Sequence, residues 1–147
     1  MLDTSIQHPL TKVIGTISQW DDWLKIQTVD LSNTCHWVEL RLDALPEHIT
    51  VDEILVHRPS TPVLFTARAQ EEGGIRPLPD AIRFDLLKHV LPCAIAIDIE
   101  IAHMAEAQDL IKAAHDASVK VIASAHDFKK TPDIDSLIAL ERQARSL

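Results

Sequence analysis

Glycine is scarce in this sequence, with three in 147 residues. None falls in a Gly-x-Gly-x-x-Gly or Gly-x-x-x-x-Gly-Lys arrangement, so the usual phosphate-cradling loops are missing and nucleotide binding is disfavoured. Cysteine is scarcer still: Cys35 and Cys93 are too few for a disulfide framework or a Cys/His zinc spacing, and no metal site is expected. Positive charge is the minority sign, since 14 Lys and Arg face 22 Asp and Glu for a net charge of −8. With no basic run longer than Lys129–Lys130, a nucleic-acid surface is not expected. Apolar runs are too short to cross a bilayer, and the first ten residues, with Asp3, Gln7, His8 and Pro9, do not read as a signal peptide. A soluble cytoplasmic protein with no membrane partner is the expectation.

What is present is an ordinary globular composition, 46% hydrophobic and 24% charged. A chain of this length forms one domain, 1–147, and buries roughly 70% of its unfolded surface. Five short segments rich in Val, Ile, Leu and Phe read as strands: Val13–Ser18, His36–Asp43, Pro62–Arg68, Ala94–Ile101 and Lys120–Asp127. Helical segments lie between them. One places Trp23, Ile26 and Gln27 at helical spacing, and a weaker one occupies Val51–Val56. Another opens at Pro79–Asp80 with an apolar stripe of Ile82, Leu86, Leu87 and Val90. Met104–Ala117 and Ile134–Leu147 supply the last two, the second after the start signal Thr131–Pro132–Asp133. The β-α pattern, repeated five times, implies parallel strands with right-handed crossovers.

Two architectures accept that pattern: a complete doubly wound sheet, which suits the length, and part of a (β/α)8 barrel, which usually needs about 250 residues. The alternation of side chains along the strands favours the barrel. Glu39, Arg41 and Asp43 share one face of the second strand; Asp98 and Glu100 oppose Ile97, Ile99 and Ile101 on the fourth; Ser124 and His126 oppose Ala123 and Ala125 on the fifth. Helices cover both faces of a doubly wound sheet, so such charges would be buried without solvent. A barrel strand instead turns polar on its inner face near its C-terminal end, where barrel active sites sit. The fold class expected is therefore α/β, a partial (β/α)8 TIM barrel of about five βα units.

Gathered at the strand ends are Glu39 and Arg41, Arg68 with Glu72 just beyond it, and His126. Two arginines suit an anionic substrate, because guanidinium binds carboxylate through paired, charge-assisted hydrogen bonds. A histidine suits proton transfer near neutral pH. Together they point to acid–base chemistry on a small carboxylate.

The segments Glu39-Leu-Arg41-Leu-Asp43, Phe65-Thr-Ala-Arg68-Ala-Gln-Glu-Glu72-Gly-Gly74, Ile97-Asp98-Ile-Glu100 and Ser124-Ala-His126-Asp127-Phe128-Lys-Lys-Thr131-Pro132 closely resemble type I 3-dehydroquinate dehydratase, in order and spacing, from about Val13 to Pro132. The resemblance implies a (β/α)8 barrel, a homodimer, no metal or organic cofactor, and conversion of 3-dehydroquinate to 3-dehydroshikimate and water in the shikimate pathway. It further implies a lysine that forms a Schiff base with the C3 ketone and so acidifies the adjacent C2 proton. His126 would match the histidine that removes that proton and helps the C1 hydroxyl leave. Glu72 would match the glutamate that orients this histidine. Glu39, Arg41 and Arg68 would match substrate-binding positions.

One departure is large. The family lysine lies at the end of the sixth strand, and only 21 residues follow His126, mostly consumed by a fifth helix. No Schiff-base lysine is expected in this chain, which looks like five-eighths of the barrel. Lys12 and Lys120 sit at strand starts; Lys25, Lys88 and Lys112 read as solvated helix positions; Lys129 and Lys130 follow His126 but do not occupy the family position. Other readings remain beside the enzymatic one: a carboxylate-binding remnant, a fragment completed by a partner, or a flavodoxin-like binding domain. Structural roles compete at single residues too. Asp98 and Glu100 read best as braces for the interior, and Trp20, Trp23 and Trp37 as packing residues.

Overall fold

The computed structural model describes residues 11–146. The expected signal-free start at residues 1–10 and the expected end of the fifth helix at Leu147 lie outside the described residues. Five parallel strands form one sheet: β1 (Ile14–Ile17), β2 (Trp37–Arg41), β3 (Val63–Thr66), β4 (Ala94–Glu100) and β5 (Lys120–Ser124). Five helices alternate with them: α1 (Trp20–Ile26), α2 (Val51–Val56), α3 (Asp80–Val90), α4 (Gln108–Asp116) and α5 (Ile134–Arg145).

The strand order is β1-β2-β3-β4-β5. A doubly wound sheet reverses direction once and so sends helices to both faces. No reversal occurs here, and right-handed crossovers then put every helix on the same face. This excludes the flavodoxin-like alternative and makes the molecule a five-unit wedge of a (β/α)8 barrel. The helix-facing side carries the core, in which Val38, Leu40, Phe65, Ile97 and Ile99 pack with Trp23, Leu87, Val90, Leu110, Ile111 and Ala114. The register sets the opposite, inner face: Thr16 aligns with Glu39, Arg41 with Thr66, Thr66 with Asp98, and Glu100 with Ser124.

Local chemistry accounts for the helix boundaries. Thr50 caps α2 in a reciprocal box with Glu53, and the Asp133 side chain accepts the Ser136 N–H at 2.8 Å to start α5. The strands end sooner than the apolar pattern predicts. Lys120–Asp127 stops at Ser124, because its ladder partner β4 stops at Glu100 and the His126 N–H turns instead to the Glu72 carboxylate. Likewise Leu42–Ala44 leaves β2 as a 3₁₀ turn, which swings Asp43 back onto Arg41. Helix α4 begins at Gln108 rather than Met104, since Ile101–His103 forms a 3₁₀ turn that buries Ile101 and precedes the buried Met104. In α3 the buried stripe is Arg83, Leu87 and Val90, whereas Ile82 is 49% exposed. Leu87 and Val90 are buried as the apolar spacing predicts and Leu86 packs against the core, so the difference is confined to the first turn, where Arg83 takes the inward place expected of Ile82.

Candidate active site

The inner face is held by charges that satisfy one another. Asp43 is fully buried and takes four donors: Arg41 Nε and Nη2 at 2.9 and 2.7 Å, and the backbone N–H groups of Arg68 and Ile75 at 3.0 Å each. Burial pushes its carboxyl up, but the Arg41 and backbone hydrogen bonds outweigh that, and the net direction is down. One side chain thus ties the end of β2 to the ends of β3 and the loop after it. Glu39 bridges strands in the same way, accepting from Thr16 Oγ1 at 2.7 Å and Thr66 Oγ1 at 2.6 Å.

Arg68, 5% exposed, reaches across to β4 and β5. Its Nη1 lies 2.8 Å from Asp98 Oδ1 and 3.1 Å from Glu100 Oε1, and donates to Ser124 Oγ at 2.7 Å. The Ser124 hydroxyl in turn donates to Asp98 Oδ1 at 2.6 Å. Burial raises the Asp98 carboxyl, and the Ser124 hydroxyl and Arg68 only partly offset this. Glu100 accepts further from the Ala69 N–H at 2.9 Å and, through its other oxygen, from Arg83. The expectation that Asp98 and Glu100 brace the interior is met, since both pair with Arg68. Both arginines keep donors free among the described residues: Arg41 Nη1, and Arg68 Nε and Nη2.

Glu72 and His126 meet at the rim. Glu72 Oε2 accepts the His126 backbone N–H at 2.8 Å and lies 3.0 Å from Nδ1. A carboxylate at Nδ1 favours the tautomer with the proton there, which leaves Nε2 as the basic nitrogen. Phe128 stacks on the imidazole at 6.4 Å between centroids and 15° between planes. The intervening loop demands glycine twice. Gly73 has φ of +91°, and a Cβ at Gly74 would stand 2.4 Å from the Arg68 carbonyl oxygen. An open cavity of about 750 Å³ is lined by Glu72, His126, Phe128, Lys129, Lys130 and Leu137, among others.

Sequence reasoning missed Thr16, Thr66, Arg83 and Ser124 as supports of this arrangement. For Arg83 a signal existed: two inward acids, Asp98 and Glu100, had one inward cation, Arg68, to balance them. Alternation puts Ser124 on the inner face, but nothing in the sequence pairs any of the hydroxyls with a particular carboxylate.

Buried arginine–carboxylate pairs at the C-terminal ends of the strands, with an oriented histidine at the mouth, define a barrel protein whose charged groups gather at the end where barrel sites lie. The profile of the type I 3-dehydroquinase family matches residues 12–147, and the chain belongs to that family. It is 38% identical over 116 residues to 3-dehydroquinate dehydratase of Clostridium novyi (strain NT), an alignment covering 71% of this chain and 46% of that protein. It is 32% identical over 138 residues to the Listeria welshimeri enzyme of the same name, covering 87% and 52%. Among solved structures, 3-dehydroquinate dehydratase from Enterococcus faecalis superposes with a TM-score of 0.75 at 29% identity, over 92% of this chain and 61% of that one. The Geobacillus kaustophilus structure, at 21% identity and a TM-score of 0.76, shows the shared fold. The chain spans about half the length of the curated relatives it matches. No helix among the described residues is long and apolar enough to cross a membrane, and those residues hold no cluster of side chains suited to a metal.

Proposed function

We propose that this chain carries the substrate-binding and proton-transfer half of a 3-dehydroquinate dehydratase site. The observation that carries the reading is the Glu72–His126 pair, in which both the backbone N–H and Nδ1 of the histidine meet one carboxylate oxygen. A base held at Nδ1 exchanges protons at Nε2. There His126 would take the C2 proton of bound 3-dehydroquinate and return a proton to the C1 hydroxyl as it departs, so that the product and one water leave and the imidazole ends as it began. The free donors of Arg41 and Arg68 suit the substrate carboxylate and hydroxyls, and Glu39 suits a ring hydroxyl. The Schiff-base lysine that the resemblance implies has no counterpart in this chain. Lys129 and Lys130 line the cavity, but neither follows a sixth strand.

The reading extends to one domain over 1–147, five-eighths of a barrel. No metal or organic cofactor takes part. Two free thiols, Cys35 and Cys93, favour a reducing cytoplasm, and the resemblance implies a homodimer. No nucleic acid or membrane partner is proposed.

Calorimetric titration with 3-dehydroquinate, paired with borohydride trapping and mass spectrometry, tests the proposal. Wild type and His126→Ala bind, Arg68→Met weakens binding about 10- to 100-fold through loss of charge-assisted hydrogen bonds, and no covalent adduct forms on this chain alone. Absence of binding at millimolar ligand overturns the reading, and an adduct at Lys129 or Lys130 overturns the assignment of the lysine.

A further inference from the structure

The loop that carries Glu72 has a second histidine on its other side. Glu71, the preceding residue, meets His103 Nε2 at 3.0 Å, and His103 Nδ1 lies 3.0 Å from Asp80 Oδ2. Asp80 in turn accepts from Arg83 through its other oxygen at 2.5 Å, and Arg83 reaches Glu100, the residue that also holds Arg68. A continuous run of polar contacts therefore joins the rim of the site to its buried floor: Glu71, His103, Asp80, Arg83, Glu100, Arg68. His103 stands where the exposed part of this run meets the buried part. Its side chain is 16% exposed, against 65% for Glu71. The short Gln70–Glu72 turn has its other anchor at the far end, where Arg41 Nη2 donates to the Gly73 carbonyl at 3.1 Å and the Ile75 N–H reaches Asp43.

We propose that His103 is a positioning residue for the Glu72–His126 pair: by gripping Glu71 through Nε2 and Asp80 through Nδ1, it fixes the turn from which Glu72 orients His126. It touches neither His126 nor the cavity and acts through the backbone of two adjacent glutamates. The inference rests on the dehydratase reading for its meaning, though not for its test.

Amide hydrogen exchange and side-chain ¹⁵N resonances of the full 147-residue chain read it directly. The His126 N–H donates to Glu72, so a loosened turn exposes it. His103→Asn keeps a polar atom near the Nδ1 position and loses Glu71. His103→Gln keeps one near Nε2 and retains Glu71. The expected result is about threefold faster exchange at His126 in His103→Asn and in Glu71→Gln, the gain that losing one partly exposed polar contact allows. His103→Gln stays near the wild-type rate, and the His126 Nδ1 resonance shifts only in the first two variants. The amides of Ile97 and Ile99, in the core strand, keep wild-type rates in all three, which separates positioning from general loss of stability. Glu71→Gln alters an exposed side chain and keeps the question answerable if His103 variants fold poorly. Unchanged His126 exchange in both Glu71→Gln and His103→Asn overturns the proposal, as does equal acceleration at Ile97 and Ile99. Binding of 3-dehydroquinate, measured separately on wild type, decides the dehydratase reading independently.

Discussion

Arg83 is the most consequential side chain that touches no part of the cavity, and Arg83→Met should expose its role. Arg83 is 2% exposed and makes three interactions: Nε to the Ala67 carbonyl at 2.8 Å, Nη1 to Asp80, and Nη2 to Glu100, itself 1% exposed. Methionine replaces much of the stem volume, so the cost is electrostatic rather than a cavity. Removing one partner of a buried pair costs about 3–5 kcal/mol, because the other charge stays behind unpaired. Glu100 retains Arg68 and the Ala69 N–H, which places the expected loss at the low end, about 3 kcal/mol. With a urea slope near 2 kcal/mol/M, the midpoint falls by about 1.5 M. Fluorescence of the buried Trp23 follows the transition. The double substitution Arg83→Met with Glu100→Gln removes the stranded charge while keeping an acceptor for Arg68 and the Ala69 N–H, and should recover at least half of the loss. A single-variant cost below about 1 kcal/mol, or no recovery in the double variant, refutes the reasoning that Arg83 exists to neutralise Glu100.

The acid limb of stability belongs in part to Asp43. Its carboxyl titrates below the ordinary 3.8, so its stabilisation is complete above that value and is lost as pH falls through the lower folded value; urea midpoints of Asp43→Asn should fall less steeply than wild type below pH 4. Asp98 has the opposite sign, since its raised folded value makes its contribution weaken as pH rises from 3.8 through that value, and Asp98→Asn should flatten the profile on that side. Gly74→Ala should cost more than Gly73→Ala in thermal unfolding: the first drives Cβ into the Arg68 backbone carbonyl, whereas the second meets the exposed ring of Phe128, which can swing aside once about 1–2 kcal/mol of positive-φ strain is met. Among the described residues β1 and β5 each leave one edge unpaired, and Ile134, Leu137 and Ile138 are exposed on α5. Size-exclusion chromatography at low micromolar concentration should therefore show self-association, and a clean monomer would count against that expectation.

Alternation along single strands revealed the fold class, because Glu39–Arg41 and Asp98–Glu100 put charge where a two-sided parallel sheet has none. The same alternation could not locate strand ends. Asp43 and His126 continue the polar period, yet both leave the ladder, drawn by hydrogen bonds to Arg41 and Glu72 that only tertiary structure supplies. Helical periodicity could not find Arg83 for a related reason: it ranks residues by hydropathy, and a buried arginine paired with a buried glutamate is apolar only as a unit. The rim residues Glu72 and His126 stood out by motif, while His103 fell between the segments read as strand and helix, where no motif marked it.

The unbroken strand order has a consequence for how the molecule forms. Every strand pairs only with its neighbours in the chain, so Glu39 finds Leu64 and Asp98 finds Ile122 across about 25 intervening positions, and no pairing waits for a distant segment. Loop closure over such spans is entropically inexpensive, and the topology has low contact order for a parallel sheet. The wedge can therefore grow one βα unit at a time, each new strand templated by the last. The charged run from Arg68 to Glu100 and Ser124 closes only when the third, fourth and fifth strands are in place, which makes it a late-forming lock on an assembly that has already chosen its register.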